Sequence, residues 1–528
     1  MWLISPAQLG DVYFAVDSIL AQRFAALSAG DSIAIGETHF AAGLNFLSAW
    51  QTFEQAAAAG ASLDFFGIAE FPLQDDELRT QLALRPELSA QADALLACWR
   101  RRVPGWNRWH FCAGRVRLTL VIGGASEALA EVRGIDVWLA ASSAEVHAPA
   151  PARRTPASAI VIGGGIAGCA AAHALALRGV AVTLVERAPK LASAASGNPR
   201  GILHARFGAG MNPQQRLVLA AYGHALALLD QSLPVDDVAR AECGLLQLAF
   251  SAKEAARIDR LLALEWPAHL LRRVDAAQAS QLAGIELEQG GLWFPAGGWV
   301  APRQWCERLA DHFGIVQRVG HDVEILAATD SGWRVTGHDA QRRAWAGEAE
   351  IVVVCCAQQA QRLQQFAHFP LSAVRGQITE LPALPASATL RAVVCADGYV
   401  TPAQNGRHLA GATHSLDDES TEVRVADHAE NIARVKTHFP ALHRALGEID
   451  AAELEGRAAV RCSAPGSMPL VGEVLPRLYC SLAHGTRGLL TAGIAGELVA
   501  SAACGQLLPL PRSVIAALDP QARTQAKV

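Results

Sequence analysis

No C-x-x-C pair occurs among the 11 cysteines of this 528-residue chain, and no cluster of His, Cys, Asp or Glu has the spacing of a metal-ligand set. The first absence argues for reduced thiols in a reducing compartment, with Cys355 and Cys356 adjacent in a strand-like run. The second leaves no metal expected. The opening stretch "MWLISPAQLGDVYF" lacks a basic region followed by an apolar core, so no signal peptide is expected and the chain reads as cytoplasmic. Charge is sparse: charged residues are 18%, and the net charge of -5 gives no global signature of nucleic-acid binding, although it says nothing of how charge is distributed. No internal repeat or low-complexity block stands out.

What is present is a hydrophobic set of 51%, with Ala and Gly prominent, which is the composition of a globular enzyme rather than a disordered chain. The length implies two or more domains. Ser158–Gly179 and Leu489–Gly505 are apolar enough to mimic membrane spans, but both are rich in Gly and Ala, and no membrane association is expected. The clearest boundary is "HAPAPARRTPAS", His147–Ser158, whose three prolines and small residues cannot pack as a regular element. The chain therefore divides into 1–147, a linker over 148–157, and 158–528.

The second part opens with "SAIVIGGGIAGCAAAHALALRGVAVTLVER": a buried strand, a glycine turn, a helix and a second strand. In Gly163-x-Gly165-x-x-Gly168 the first glycine permits the tight turn, the second lets backbone approach a pyrophosphate, and the third allows close helix–strand packing. The helix N-terminus, at Ile166 and Ala167, favours phosphate charge. Glu186 ends the second strand where it can accept from ribose hydroxyls, with Arg187 beside it. FAD is favoured over NAD by two further segments. The small-residue loop Leu191–Gly201 contains Ser196, Gly197, Asn198 and Gly201. The loop-to-helix stretch His484–Ala500 contains Gly485, Thr486, Gly488 and Leu489. These are the candidate cofactor contacts.

The motifs "ASGNPRG", "GGLWFPAGGWVAP" (Gly290–Pro302), "VRGQIT", "DGYVTP", "VRCSAPGSMPLVG" and "GTRGL" resemble, in order and spacing, the glycine oxidase and D-amino-acid oxidase group of FAD enzymes. More closely, they resemble the bifunctional tRNA 5-methylaminomethyl-2-thiouridine biosynthesis proteins, the MnmC family. The first part resembles that family's methyltransferase half through "DVYF", "GLNFL" and "EFPL". The resemblance implies an α/β architecture: an FAD-binding Rossmann-like domain with an interleaved substrate domain of the glycine-oxidase type, preceded by a methyltransferase-like segment. It also implies FAD-dependent removal of the carboxymethyl group from carboxymethylaminomethyl-uridine at the tRNA wobble position, followed by methylation from S-adenosylmethionine.

Such a substrate is an N-substituted glycine, and arginine suits its carboxylate because a planar fork can bind two oxygens. Arg461 matches the position where glycine-oxidase-like enzymes hold the carboxylate, with a structural ion pair as the alternative. Arg487 is a second candidate near flavin or substrate. Tyr399 either closes the pocket and donates its hydroxyl or packs in the core. Arg375 reads as a loop or cofactor contact, and Cys462 as a small packing residue. A small-molecule amine oxidase and a tRNA-binding flavoprotein with structural flavin are the competing readings.

The first part has strand-like runs at "DSIAI", "LDFFGIAEF", "RVRLTLVIG" and "IDVWLAA", then stops sooner than a doubly wound domain should. Its loop "ETHFAAGLNFL" departs from the family pattern E-T-G-F-G-T-G-L-N-F: His39 and Ala41 stand for glycines, Ala42 for threonine, and only Gly43 remains. Ala69 stands where the family places a ribose-holding acid, with Glu70 one residue away. Ala141 stands for the aspartate of the D-G-F-A-P motif. Residues 1–147 are therefore read as a truncated, degenerate remnant without methyl-transfer activity. Its persistence has two candidate reasons: packing on the FAD domain, or tRNA docking through Trp99–Arg117, where Arg100, Arg101, Arg102, Arg108, Arg115 and Arg117 lie among three tryptophans.

Overall fold

The computed structural model describes residues 20–140, 143–146, 154–208, 210–235 and 238–525. Residues 148–153 of the expected linker and Ala141 lie outside the described residues. The N-terminal unit is a six-stranded sheet of β1 (Ser32–Glu37), β2 (Ser62–Ala69), β3 (Gly105–Phe111), β4 (Val116–Ile122), β5 (Val137–Ala140) and β6 (Ser143–Val146), ordered β3-β4-β2-β1-β5-β6. The central four are parallel, and β3 and β6 run antiparallel at the edges. The four expected strands are present. β3, within the basic stretch Trp99–Arg117, is a regular strand: "GWNRWHF" alternates, and a period of two sends its residues to both faces of the sheet.

That alternation sorts the unit into two faces. Leu63 and Phe65 of β2, Leu118 and Leu120 of β4, and Trp109 and Phe111 of β3 join the helices Leu44–Ala56, Asp75–Leu82 and Ser89–Trp99 in one core. Phe66, Ile68, Val121 and Trp106 point the other way, into a core shared with the second domain. A sheet buried on both faces needs two helical layers. Here the second layer is lent chiefly by the helix Pro213–Ser232, which lies on β3, with the helix Gly488–Ala503 behind it. The helix Pro213–Ser232 starts where it does because Pro213 suits a first helical position and the Asn212 side chain accepts from Gln215 N at 2.9 Å.

The same interface buries charge. Arg108 donates to Asp64 Oδ1 at 2.8 Å through Nη2 and to Glu497 Oε1 at 2.9 Å through Nε. Arg117 makes a two-point contact with Asp64 at 2.9 Å, and Arg178 makes one with Glu497 at 2.7 and 3.0 Å. Burial alone would raise the Asp64 carboxyl, but the Arg117 and Arg108 guanidiniums outweigh it and hold it well below the usual range. Glu497 is likewise held far down, with Arg178 the leading cation. Burial lowers His110, whose Nε2 lies 3.1 Å from Glu497, against that carboxylate's pull. Buried ion pairs come near break-even once desolvation is counted, so the apolar face supplies the adhesion and the charges set the register.

The second domain interleaves two large sheets, beside two three-stranded ones. A six-stranded sheet runs Ile315–Val319, Ala181–Glu186, Ser158–Ile162, Ile351–Val354, Leu478–Leu482, Leu470–Leu475; all are parallel except the last. A nine-stranded, mostly antiparallel sheet takes strands from Leu245–Leu248 through Gly456–Ser463, alternating along the chain with those of the first. No helix among the described residues is long and apolar enough to cross a membrane. The two apolar stretches are a strand, turn and helix and the buried helix Gly488–Ala503.

Glu497→Ala strands the buried Arg178 guanidinium and removes one of the two carboxylates of Arg108, and is expected to lower the unfolding free energy by about 3–5 kcal/mol, read by urea titration of tryptophan fluorescence. Arg108→Met leaves Asp64–Arg117 and Glu497–Arg178 as balanced pairs and should cost clearly less. Because both carboxyls are depressed in the folded state, their contribution is complete above the unfolded value of about 4 and is lost as pH falls from there toward the folded values. The wild-type urea midpoint should therefore drop more steeply below pH 4 than that of Glu497→Gln.

Candidate active site

The strand Ser158–Ile162 delivers the chain to Gly163, which turns at φ 110°, and Gly165 caps the helix Ile166–Ala176. Gly168 is needed for proximity: a Cβ there would overlap the Gly163 carbonyl. Glu186 is pinned at its strand end, accepting from Gly164 N at 2.6 Å and from Ala188 N at 2.8 Å, which leaves lone pairs for further donors. Ser196 Oγ accepts from Ile166 N at 3.0 Å, bringing the loop Leu191–Gly201 across the helix start. This cradle opens into a cavity of about 1080 Å³ between the two sheets.

The expected contacts converge on that cavity. Gly163, Gly165, Ile166, Ala167, Glu186, Arg187, Ser196, Asn198 and Gly201 line one part, and Gly485, Thr486, Gly488 and Leu489 line another. Gly168 and Gly197 sit behind the wall, where they permit close packing rather than contact. Arg461, Arg487 and Tyr399 also line the cavity. Arg461 makes no ion pair or side-chain hydrogen bond with any described residue, and its guanidinium lies so close over Gly376 that a Cβ there would overlap it. The structural ion pair is thus absent from the described residues. Burial pushes Arg461 below its ordinary value, with Tyr399 partly offsetting, and burial pushes the Tyr399 hydroxyl up. Arg487 also lacks a side-chain partner among the described residues; burial and the Arg206 charge lower it.

Arg375 does not reach the cavity. It is fully buried, pairs with Asp427 at 2.6 Å and donates to the Ser420 and Glu422 carbonyls, so it is a loop anchor and not a cofactor contact. Burial pushes the Cys462 thiol up to about 12, in keeping with a packing role. Among the described residues, no group of three or more His, Cys, Asp or Glu is placed to hold a metal.

Sequence reasoning missed Arg457 and His204. Arg457 lies four residues before Arg461 on the same strand and face, donating to Asn198 Oδ1 at 2.8 Å and to the Ser193 and Ala194 carbonyls. It ties the cradle loop to the substrate sheet, and strand periodicity from Arg461 would have found it. His204 lines the cavity with its Nε2 unpartnered among the described residues; burial lowers it to about 4, so it is neutral at pH 7. His484 is similarly neutral and bridges Ser481 and Thr491 at 3.0 and 2.8 Å, setting the turn before the helix Gly488–Ala503.

In the N-terminal unit the loop after β1 sits at the switch point between β1 and β5, where doubly wound sheets take ligands. Ala41 has φ 44°, a left-handed conformation that favours glycine, held here by an alanine. The Phe40 ring is buried against Gly43 and Gly67 and stacks on Trp99 at 6.5 Å. Ala69 is buried, while Glu70 and His39 are exposed. The basic stretch is committed to packing. Arg101 pairs with Asp230 and Glu242, Arg102 with Asp75, Arg108 and Arg117 lie in the interface, and Arg115 donates to the Ala58 and Ala61 carbonyls. Trp99, Trp106 and Trp109 are buried, and only Arg100 is largely exposed.

The glycine cradle, the pinned Glu186 and the long cavity fit an extended dinucleotide. Residues 158–502 match the family model described as FAD dependent oxidoreductase. The chain is 48% identical over 600 aligned positions to the "tRNA 5-methylaminomethyl-2-thiouridine biosynthesis bifunctional protein MnmC" of Nitrosospira multiformis, covering 99% of this chain and 97% of that one. It is 36% identical to the protein of the same name from Chromobacterium violaceum, covering 97% and 95%. Among solved structures, glycine oxidase from Geobacillus kaustophilus superposes with a TM-score of 0.57 at 22% identity, over 69% of this chain and 97% of its own. L-proline dehydrogenase from P.horikoshii gives 0.56 at 18%, over 70% and 98%. These last two speak to fold alone. By the match over its second domain and the identity along nearly its whole length, the chain belongs to the FAD dependent oxidoreductases and, within them, to the MnmC family.

Proposed function

We propose that this chain oxidatively removes the carboxymethyl group from 5-carboxymethylaminomethyl-(2-thio)uridine at the tRNA wobble position, leaving 5-aminomethyl-(2-thio)uridine, and that it no longer performs the methylation that follows. The observation that carries the oxidative half is Arg461, a cation without a partner among the described residues, facing the flavin cavity beside Tyr399. The tRNA substrate is drawn from the name of the relatives at 48% and 36% identity. The free cysteines suit a reducing, cytoplasmic setting.

FAD, when bound, supplies the two-electron acceptor. The protein's own residues orient the substrate. The Arg461 fork holds the carboxylate at two points, and Tyr399, kept protonated by burial, donates its hydroxyl, so that the CH2 between carboxylate and amine is fixed in place. Two guanidiniums without a carboxylate partner among the described residues, Arg461 and Arg487, disfavour an ammonium nearby and so favour the neutral amine that can be oxidised. Loss of a hydride from the CH2 and of the amine proton leaves a C=N bond. Water adds to it, the C–N bond breaks, glyoxylate leaves with the oxygen, and the aminomethyl group stays on the uridine.

Loss of methylation is supported by His39 and Ala41 where the family pattern has glycines and by the buried Ala69 at the β2 end where it has an acid. The alignment with the Nitrosospira relative runs to 600 positions, more than the 528 residues of this chain, so it carries gaps on this chain's side.

Nucleoside mass spectrometry on carboxymethylaminomethyl-modified tRNA, incubated with the enzyme with and without S-adenosylmethionine, should give aminomethyl-uridine in both tubes. Methylaminomethyl-uridine in the tube with methyl donor would overturn the second half of the proposal. Unchanged tRNA alongside turnover of free glycine or sarcosine would replace the first half with a small-amine oxidase. Arg461→Met should lower kcat/KM roughly 10- to 100-fold, as expected for a lost charged hydrogen bond of about 1.5–3 kcal/mol, with partial recovery in Arg461→Lys. A variant at wild-type kcat/KM would remove Arg461 from the site.

A further inference from the structure

The N-terminal unit spends three arginines, Arg100, Arg101 and Arg108, and a histidine, His110, on acids of the second domain. Glu497 is the single charged residue of the 16-residue helix GLLTAGIAGELVASAA and is 1% exposed. Gly488 and Leu489, at the first turn of that helix, line the flavin cavity, as do Gly485, Thr486 and Arg487 just before it. At 1.5 Å per residue, Glu497 lies about 13 Å down a continuous helix from that turn. From within the second domain, Arg178 already neutralises Glu497. From the N-terminal unit come Arg108 Nε at 2.9 Å and His110 Nε2 at 3.1 Å. The Arg108 carbonyl is itself held by His224 Nδ1 at 3.1 Å, on the helix Pro213–Ser232. Past the end of the helix, Gln506 donates to Ser62 Oγ of β2 at 3.3 Å.

Charge balance does not require Arg108. Without it, Asp64–Arg117 is a closed pair in one domain and Glu497–Arg178 a closed pair in the other. A fifth buried charge shared between the two carboxylates adds desolvation cost, and what it adds in return is a fixed distance between β2 and the middle of the helix. We infer that Arg108, seconded by His110, is a positioning residue for the flavin site: the N-terminal unit is an internal brace that sets the helix Gly488–Ala503, and with it the loop Gly485–Leu489, against the bound FAD. This rests on the FAD assignment and not on the tRNA reaction, so either can fail while the other stands.

The test uses the purified FAD-loaded enzyme as wild type, Arg108→Met, Arg108→Lys and Phe53→Leu. Phe53 lies in the far core of the N-terminal unit, edge-on to Phe24 at 5.4 Å, away from the interface. Two quantities are read: the FAD dissociation constant and the visible circular dichroism of the bound flavin. Arg108→Met should raise the dissociation constant roughly 5- to 10-fold, at the low end of measured couplings between sites, and change the flavin dichroism. Arg108→Lys should recover part of both. Phe53→Leu should lower the urea midpoint and leave both flavin quantities at wild-type values. Arg108→Met matching wild type in both, or Phe53→Leu moving them as far as Arg108→Met does, would overturn the brace and leave the unit as mere adhesion. Should Arg108→Met not accumulate as folded protein, His110→Leu is read by the same two quantities and the same criteria.

Discussion

Arg108 reaches Asp64 on its own sheet and Glu497 on a helix of the other domain, and both distances are met in only one relative placement of the two. The apolar faces around it would adhere in several registers, because hydrophobic burial is non-directional. Hydrogen-bonded charges in a dry interface are not so tolerant, since each misplaced group pays for its desolvation. The same helix that carries Glu497 at its middle presents Gly488 and Leu489 to the cavity at its start. The geometry of the flavin site and the seating of the N-terminal unit are therefore parts of one arrangement.

On the cavity side the architecture separates tasks. The parallel sheet ends in glycines and helix N-termini, which suit phosphate and a closely approaching backbone. The antiparallel sheet contributes side chains, with Arg457 reaching back to the cradle loop and Arg461 facing the cavity from the same strand. One strand thus addresses both the cofactor's loop and the substrate's space, because residues four apart on a strand share a face.

How much was legible in the sequence differs between the two halves. The FAD domain's elements announce themselves, because its turns need particular residues: Gly163 for its positive φ, Gly168 for the carbonyl it passes. The candidate contacts come from segments far apart in the chain, and nearly all of them line a single cavity. The N-terminal unit was legible in its strands, while its arginines left packing and docking both open. Six of them in nineteen residues with three tryptophans look like a docking surface. Alternation along β3 and the presence of Asp64, Asp230, Glu242 and Glu497 elsewhere turn most of them inward.

By itself the sequence determined the dinucleotide turn and the family, since each depends on residue type at local positions. Only the tertiary structure decided that Arg461 has no side-chain partner among the described residues while Arg375 is spoken for, that Arg457 joins the two sheets, and that Arg108 lies between two carboxylates 44 and 389 residues away along the chain. The reason is physical: an arginine's role is set by which acid or carbonyl the fold brings within about 3 Å, and no local pattern carries that information.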